Sequence, residues 1–350
     1  MQRIQKRRAG QRQTQNALIG LLSAVSMTRI GLTQLLPLCG SAAWWLSAAC
    51  MLPGLCVHGA LRLLLRYTHT RTLTDCARKL LGNFGSILIM LTLTLPLLLD
   101  GIASLTALIT FFTEGIGARG SQFTLTLLTA SVMLIALNRD GLPRGVYLLR
   151  HVLLVAAAII AINALLDAHP DGIVPLLGEG VPPLLSGIRS AWGMSWMLLL
   201  LLEFPAEEGA RRTPAMLAGL LPCPVILLLL SLTIPPELTV PGRSLASRLA
   251  LPTLFLQPVV RTLAQCLLMM TLFLSIAGSA QLAARFLTSS CQKPKKWVPY
   301  ALIGLLTLTQ LFDISRLWRV LTALTAWSLV PGVLLLLVLT IARLCRREKA

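Results

Sequence analysis

Two ionisable side chains stand in apolar sequence, and their positions are the first indication of chemistry in this chain. Arg29 lies near the middle of the first long apolar stretch and Asp100 near the middle of the third. An ionised group at bilayer depth costs about 2.5–3.5 kcal/mol, so it is seldom placed there without a partner or a polar cavity. We predict that Arg29 and Asp100 approach one another, as a self-neutralising pair beside a site or as a pair opened by a ligand carboxylate or ammonium. The alternative is that Arg29 extends to the interface while Asp100 faces water.

Glycines and hydroxyls form a second group of candidate functional residues. They interrupt the first and sixth apolar stretches, around Gly31 and Gly193. Glycine permits unwinding and hydroxyls can serve freed backbone groups, so both helices could break where they line a cavity. The alternative is that small residues only let helices pack closely. The predicted ligand-binding residues are Ser26, Thr28, Arg29, Gly31, Asp100, Gly193, Ser195 and Ser275.

The composition defines the elements that must position these residues. The chain has 350 residues, of which 55% are hydrophobic and 13% charged, and its mean hydropathy is +0.77. An ordinary soluble domain carries about 25% charged residues. Apolar runs of roughly 20 residues, the length that crosses a bilayer, recur along the chain. They predict spans at about 15–38, 43–66, 84–113, 121–138, 145–166, 190–206, 213–234, 258–287, 297–314 and 318–342.

The distribution of basic residues predicts the orientation. The formal net charge is +18, with 31 Lys and Arg, but a basic excess in a membrane chain normally reflects the positive-inside bias rather than nucleic-acid binding. Most of these residues fall in the two termini and in alternate loops. We therefore expect ten spans with both termini in the cytoplasm, and no nucleic-acid partner.

The order of the elements predicts two halves of five spans. An amphipathic segment, Arg71 to Leu81, follows the second span, and the long connection Pro235 to Gln257 follows the seventh. Because five is odd, two similar halves must be inverted, as in secondary transporters whose broken helices form the substrate site. The predicted division is a cytoplasmic basic tail at 1–14, a first repeat at 15–166, an extracytoplasmic loop with a short helix at 167–189, a second repeat at 190–342 and a basic tail at 343–350.

Other classes of function receive little support from the sequence. None of the four histidines stands in a metal-binding spacing, and no nucleotide-binding glycine pattern occurs, so we expect no enzyme activity, metal or cofactor. His58 is interpreted as an interfacial residue near a helix end. Glu203 is interpreted as part of a solvated charge cluster with Glu207, Glu208, Arg211 and Arg212. A structural scaffold remains an alternative, although it would not need polar residues within the spans.

One segment is more specific than the rest. From Ile173 the chain reads I-V-P-L-L-G-E-G-V-P-P-L-L-S-G-I-R-S-A-W, and an apolar run then ends L-E-F-P and continues A-E-E-G-A-R-R. This pattern resembles the germinant-receptor B-subunit permeases of endospore-forming bacteria. The A-A-W-W-L-S segment at Ala42 to Ser47 and the segment from Thr72 to Gly85 are also similar to that family. Arg29 and the Ala43-Trp44-Trp45 sequence depart from its usual pattern, so the ligand is not carried over.

The resemblance implies both a fold and a role. The fold is that of the amino acid, polyamine and organocation superfamily, an all-α polytopic membrane protein of about ten transmembrane helices with a LeuT-type 5+5 inverted repeat. The implied role is to sense a small nutrient, typically an amino acid, in the spore inner membrane, together with germinant-receptor A and C subunits. An amino acid or amine permease of the same superfamily is the alternative.

Overall fold

Helices are the only regular elements in the part of the chain that the structure describes. The computed structural model describes residues 2–115, 180–191, 195–233, 258–289, 297–311 and 329–347, with isolated helical positions between 126 and 166. The helices are α1 (Gln2–Ile30), α2 (Leu36–Cys39), α3 (Ala43–Ala49), α4 (Met51–Tyr67), α5 (Leu73–Leu81), α6 (Asn83–Thr110), α7 (Val181–Ala191), α8 (Ala206–Leu220), α9 (Pro222–Thr233), α10 (Pro258–Ser289), α11 (Val298–Leu311) and α12 (Leu329–Arg347).

Several segments depart from α-helical geometry. Two π-helical segments follow α1 and α6, at Gly31–Leu35 and Phe111–Gly115. A short 3₁₀ turn spans Gly40–Ala42, and a longer 3₁₀ helix runs from Trp196 to Glu203. Runs of 3₁₀ helix longer than three or four residues are uncommon, so the eight-residue 3₁₀ helix marks an unusual stretch of the predicted sixth span.

Within the residues that the structure describes, four helical segments are long and apolar enough to cross a bilayer. They are Gly40–Tyr67, Asn83–Thr113, Glu207–Leu232 and Pro258–Leu287, and shorter apolar helices occupy Val298–Thr309 and Val333–Leu344. The described part of the chain is therefore all-α, as predicted, and carries membrane-length helices. The total of ten spans and the inverted repeat stay predictions, because the predicted spans at 15–38 and 190–206 are not among these four and those at 121–138 and 145–166 fall largely outside the described residues.

The predicted termini and surface helices can be compared with these bounds. Helix α1 starts at Gln2, so the segment expected as an N-terminal tail is helical and continuous with the first predicted span. The amphipathic segment is α5, which buries Leu73, Cys76, Ala77 and Leu80 and packs on α6. Helix α7 supplies a short helix at the end of the predicted 167–189 loop. The second long connection, Pro235 to Gln257, lies outside the described residues.

The core lies where α1, α6, α10 and the 3₁₀ helix meet their neighbours. Helix α10 packs along α6, and α1 packs against α8, α9 and α10. The 3₁₀ helix lies between α4 and α8, and its side chains from Trp196 to Leu202 are buried. Helix α7 covers α2 and the first π-helical segment. The segment that holds Arg29 is therefore enclosed by helices on several sides.

Glycine allows α1 and α8 to approach each other at backbone distance. A Cβ atom at Gly219 would collide with the Gly20 carbonyl oxygen and would lie 2.8 Å from the Gly20 Cα, while a Cβ at Gly20 would lie 2.9 Å from the Ala215 carbonyl oxygen. Small residues at helix contacts are the usual means of close packing in membranes, where dispersion forces rather than water exclusion hold helices together. The glycine pair sets the distance between α1 and α8.

We expect Gly219→Ala to lower the stability of the protein by about 1–3 kcal/mol, because the new methyl group meets backbone that cannot rotate away. The matched control is Gly59→Ala in α4, where a Cβ meets nothing within 4 Å. Thermal unfolding of the purified chain in detergent, followed by tryptophan fluorescence, measures both changes. Equal unfolding midpoints for the two variants would contradict the close approach of α1 to α8.

Candidate functional site

Arg29 and Asp100 form a buried ion pair between α1 and α6. The Arg29 Nη2 donates to the Asp100 Oδ1 at 2.5 Å, and the two side chains are 2% and 0% exposed. The predicted approach of these residues is therefore observed. Two opposite charges excluded from solvent stabilise each other only when their geometry is good, and removal of one leaves the other without compensation. The pair joins segments that are 71 residues apart in the chain.

The backbone departs from regular α-helix on both sides of the ion pair. Arg29 is followed at once by the π-helical segment Gly31–Leu35, so the predicted break at Gly31 is a local change of hydrogen-bond register within a continuous helical path. Segments of π-helix are rare and often occur at functional sites. In α6, Pro96 lies one turn before Asp100, and because proline has no N–H it cannot supply the usual i→i−4 hydrogen bond.

Buried hydroxyls without hydrogen-bond partners occur on the helices that hold the ion pair. In the described part of the chain these are Ser26 in α1, Thr94 and Ser104 in α6, and Ser275 and Ser279 in α10, and the second carboxylate oxygen of Asp100 also has no hydrogen-bond partner. Each such group costs about 1–3 kcal/mol when buried. These unpartnered polar groups therefore lower the free energy of unfolding, and the stability of the fold does not account for their presence.

Other buried hydroxyls in the same helices and their neighbours behave in the ordinary way. Ser23 donates to the Ile19 carbonyl, Ser231 to the Leu227 carbonyl and Thr307 to the Ile303 carbonyl, each one turn earlier in its own helix. This backbone bond is the usual solution for a hydroxyl in an apolar helix. The hydroxyls of Ser26 and Ser275 do not adopt it and leave their hydrogen-bonding capacity unused.

Helix spacing and close packing bring these groups to one region. Ser104 lies four residues after Asp100, and Ser279 lies four residues after Ser275, so each pair shares a helix face. A Cβ on Gly101 would lie 3.5 Å from the Ser279 Cβ, which places α10 directly against α6 beside the carboxylate. On its other side α10 meets α1, where a Cβ on Gly278 would lie 2.7 Å from the Leu18 side chain.

The remaining predicted site residues have different positions. Thr28 is partly exposed, and Gly31 packs against Cys223 and Leu227 of α9. Ser195 is buried, but its hydroxyl donates to the Cys50 carbonyl at 3.1 Å, at the junction of α3 and α4. The structure therefore places Ser195 in a helix contact. Gly193 lies outside the described residues.

Sequence reasoning missed Ser104 and Ser279. Both residues stand at i+4 from a predicted site residue, Asp100 or Ser275. That spacing alone was the signal that could have found them, because residues four apart in a helix lie one above the other. It was not sufficient in a chain with many serines and threonines, since only packing shows which hydroxyls are enclosed.

The structure corrects the interpretation of Glu203. Its two carboxylate oxygens accept from the Thr74 Oγ1 at 2.6 Å and from the Thr74 backbone N–H at 3.2 Å, so the residue is partly buried and bonded rather than a solvated charge. The reason is that the first turn of α5 presents N–H groups without intrahelical acceptors, and a carboxylate satisfies them. Glu203 thus ties the end of the 3₁₀ helix to α5.

His58 is likewise buried rather than interfacial. It lies within α4, is 7% exposed, and its Nδ1 faces the Leu198 carbonyl oxygen at 2.9 Å. This carbonyl belongs to the 3₁₀ helix. The His58 side chain of α4 therefore satisfies a backbone carbonyl of the sixth predicted span, which explains why histidine is tolerated in that position.

The side chains at this site offer both hydrogen-bond donors and hydrogen-bond acceptors. A guanidinium offers five donors and a carboxylate offers only acceptors, while serine hydroxyls can do both. Together they can bind a small molecule that carries a carboxylate and an ammonium. Among the described residues no group of three or more His, Cys, Asp or Glu side chains is placed to hold a metal ion.

Comparison with known proteins adds no assignment. No family model matches the chain, and no curated protein matches it.

Asp100→Asn is expected to lower the stability of the protein by about 3–5 kcal/mol, because the buried guanidinium of Arg29 then loses the carboxylate that it pairs with. The double variant Arg29→Met with Asp100→Leu should recover most of that loss, since an apolar pair needs no compensation. Thermal unfolding in detergent measures both.

The control for this prediction is the more exposed pair of Glu208 and Arg212, whose oxygen and nitrogen lie 3.2 Å apart. Glu208→Gln should cost less than Asp100→Asn, because the Glu208 side chain is 37% exposed and Arg212 still donates to the Gln15 side chain. A double variant no more stable than Asp100→Asn would show that the ion pair does not account for the loss.

The contact between Glu203 and Thr74 should appear as a coupling of about 1–3 kcal/mol in a double-mutant cycle with Glu203→Gln and Thr74→Val. Thr92→Val is the matched control, because that hydroxyl donates within its own helix to the Leu88 carbonyl. Coupling of Glu203 to Thr92 as strong as to Thr74 would rule out a direct bond between the 3₁₀ helix and α5.

Proposed function

We propose that this chain is an integral membrane protein of the transporter type that binds a small zwitterionic nutrient, an amino acid, at the Arg29–Asp100 pair. The observation that carries the proposal is the set of buried polar groups without hydrogen-bond partners around that pair. A ligand with hydrogen-bonding groups would satisfy them, and their burial cost is then recovered when the ligand binds.

The charges of the site suit a zwitterion. The Asp100 Oδ2 is an acceptor for an ammonium, and Arg29 provides donors that match a carboxylate in a bidentate manner. A ligand carboxylate would compete with Asp100 for the guanidinium, so binding would loosen the link between α1 and α6. This competition would convert occupancy of the site into a change in helix packing.

The change in helix packing would occur at the π-helical segment that follows Arg29. Gly31–Leu35 has one residue more per hydrogen-bonded turn than an α-helix, and it contacts α3, α7 and α9. A shift between π- and α-helical registers would rotate the residues beyond it. Movement of Arg29 would therefore be transmitted to the helices on which Leu35 and Gly31 pack.

The proposed biological role is nutrient sensing in the spore inner membrane, as a B-type subunit acting with germinant-receptor A and C subunits. The support is the resemblance carried by the segment from Ile173 to Trp192 and by the A-E-E-G-A-R-R sequence. An amino acid or amine permease with the same fold is the second candidate, and it is favoured by the same buried polar site.

Binding is tested first by a thermal-shift screen of the purified chain against the common amino acids. A ligand that binds only the folded state stabilises it by about 2.7 kcal/mol at a hundred times its Kd. We expect at least one amino acid to raise the unfolding midpoint, and Ser275→Ala to weaken this effect. Ser231→Ala is the control, because its hydroxyl bonds to its own helix. A screen without any shift, or equal weakening by both variants, would refute the site.

Sensing and transport are separated by reconstituting the chain into liposomes. If the protein is a sensor, a ligand found in the screen binds but a labelled form of it does not accumulate inside the vesicles. Concentrative uptake that depends on Asp100 would instead establish the permease and exclude a sensor that carries nothing.

A further inference from the structure

A cleft lined by three arginines lies away from the Arg29–Asp100 pair. It is formed by the end of α4, the turn that leads into α5, the end of the 3₁₀ helix and the start of α8. Its volume is about 360 Å³ including the open mouth. The residues that line it are Arg62, Leu65, Arg66, Thr70, Arg71, Leu201, Leu202, Phe204 and Gly209.

The charged side chains that line this cleft are all arginines. Arg62 is partly buried, Arg66 and Arg71 are exposed, and no carboxylate is among the described lining residues. Three acidic side chains lie near these elements but do not line the cleft: Asp75 is exposed in the first turn of α5, Glu203 accepts from Thr74, and Glu208 pairs with Arg212. Three like charges around one concave surface repel each other, and an anion in the cleft would relieve that repulsion.

Two further arginines lie behind the cleft. Phe204 lines it, and the guanidinium carbons of Arg212 and Arg285 lie 4.0 and 4.9 Å from the centre of the Phe204 ring. Cation–π contacts of this kind hold arginine side chains in place. Because Arg212 also pairs with Glu208, the positive charge of the cleft is that of its lining residues Arg62, Arg66 and Arg71.

The rim of the cleft is rigidly built. The Thr68 hydroxyl bonds to the Leu64 carbonyl at 2.9 Å, and the Thr70 N–H bonds to the Leu65 carbonyl at 3.1 Å. Lys79 donates from α5 to the Thr68 carbonyl at 2.8 Å. His69 adopts a positive φ of 52°, which a non-glycine residue takes only when its neighbours hold it there. The arginines on either side of this turn are thus presented in a defined arrangement.

The surroundings indicate a membrane interface. The cleft opens beside α5, whose apolar face is buried on α6 and whose Arg78 and Lys79 are exposed. Tyr67 and Phe84 flank α5 at 64% and 69% exposure. Exposed aromatic rings and basic side chains at the ends of apolar helices are typical of the headgroup region. A ligand in this cleft would lie at the depth of lipid phosphates.

From these observations we propose that the cleft between Arg62, Arg66 and Arg71 binds the phosphate of an anionic phospholipid headgroup in the cytoplasmic leaflet. Arginine matches phosphate oxygens with paired N–H donors, and basic pockets between membrane helices bind anionic headgroups. This site is separate from the amino acid site and does not depend on it. The headgroup would connect the 3₁₀ helix, α4 and α5 at the membrane surface.

The test measures binding of fluorescently labelled phosphatidylglycerol to the delipidated full chain in neutral detergent, with phosphatidylcholine as the reference lipid. Each arginine near an anionic surface is worth about a fivefold change in affinity, so replacing all three with glutamine should weaken binding by roughly 100-fold. Raised salt should weaken binding to the unmodified chain. Arg211→Gln is the matched control, since this exposed arginine of α8 does not line the cleft.

Three results would overturn the proposal. One is equal binding of phosphatidylcholine, and another is unchanged binding in the triple variant. The third is displacement of the lipid by glycerol 3-phosphate at equal concentration, which would identify the ligand as a soluble phosphate. If the triple variant does not fold, the exposed Arg66→Gln replaces it, with Arg66→Lys as its charge-conserving partner. Loss of lipid binding in Arg66→Gln together with retention of lipid binding in Arg66→Lys supports the site. Unchanged lipid binding in Arg66→Gln counts against it.

Discussion

The buried ion pair of Arg29 and Asp100 is the constraint on which the centre of this structure depends. Neither charge can remain in an apolar interior without the other, so α1 and α6 must meet at one level and in one orientation. Gly101 then allows α10 to close on α6 beside the carboxylate. On the opposite side of α1, the glycine pair of α1 and α8 brings the two backbones together. Electrostatics and close packing therefore act on the same helix.

The polar groups around the pair are arranged differently from those elsewhere in the chain. Several buried hydroxyls elsewhere bond to the preceding turn of their own helix, as those of Ser23 and Thr307 do. At the centre, Ser26, Ser104, Ser275 and Ser279 leave their hydrogen-bonding capacity unused. A protein selected for stability alone would replace such residues with alanine. Their concentration beside an ion pair and a π-helical segment is the physical basis for proposing a ligand there.

The sixth predicted span joins the interior to the membrane surface. Its 3₁₀ helix is held by His58 through the Leu198 carbonyl, and it ends at Glu203, which holds the first turn of α5. Both contacts escaped prediction. Histidine and glutamate near span ends normally face water, and the sequence contains no signal that a carbonyl or a helix N-terminus lies opposite them. The contact of Ser195 was equally absent from the sequence signals, since its hydroxyl donates to the Cys50 carbonyl of a distant segment.

The sequence by itself determined the helical class and the approximate positions of the long apolar helices in the described part of the chain, and it led to the hypothesis that Arg29 pairs with Asp100. It could do so because apolar runs, amphipathic spacing and the cost of a buried charge are local or nearly local properties. Only the tertiary structure decided which hydroxyls are enclosed, that the interruption at Gly31 is π-helical, and that Arg62, Arg66 and Arg71 line one cleft. These features depend on which surfaces of distant segments face each other, and residue spacing within one helix does not contain that information.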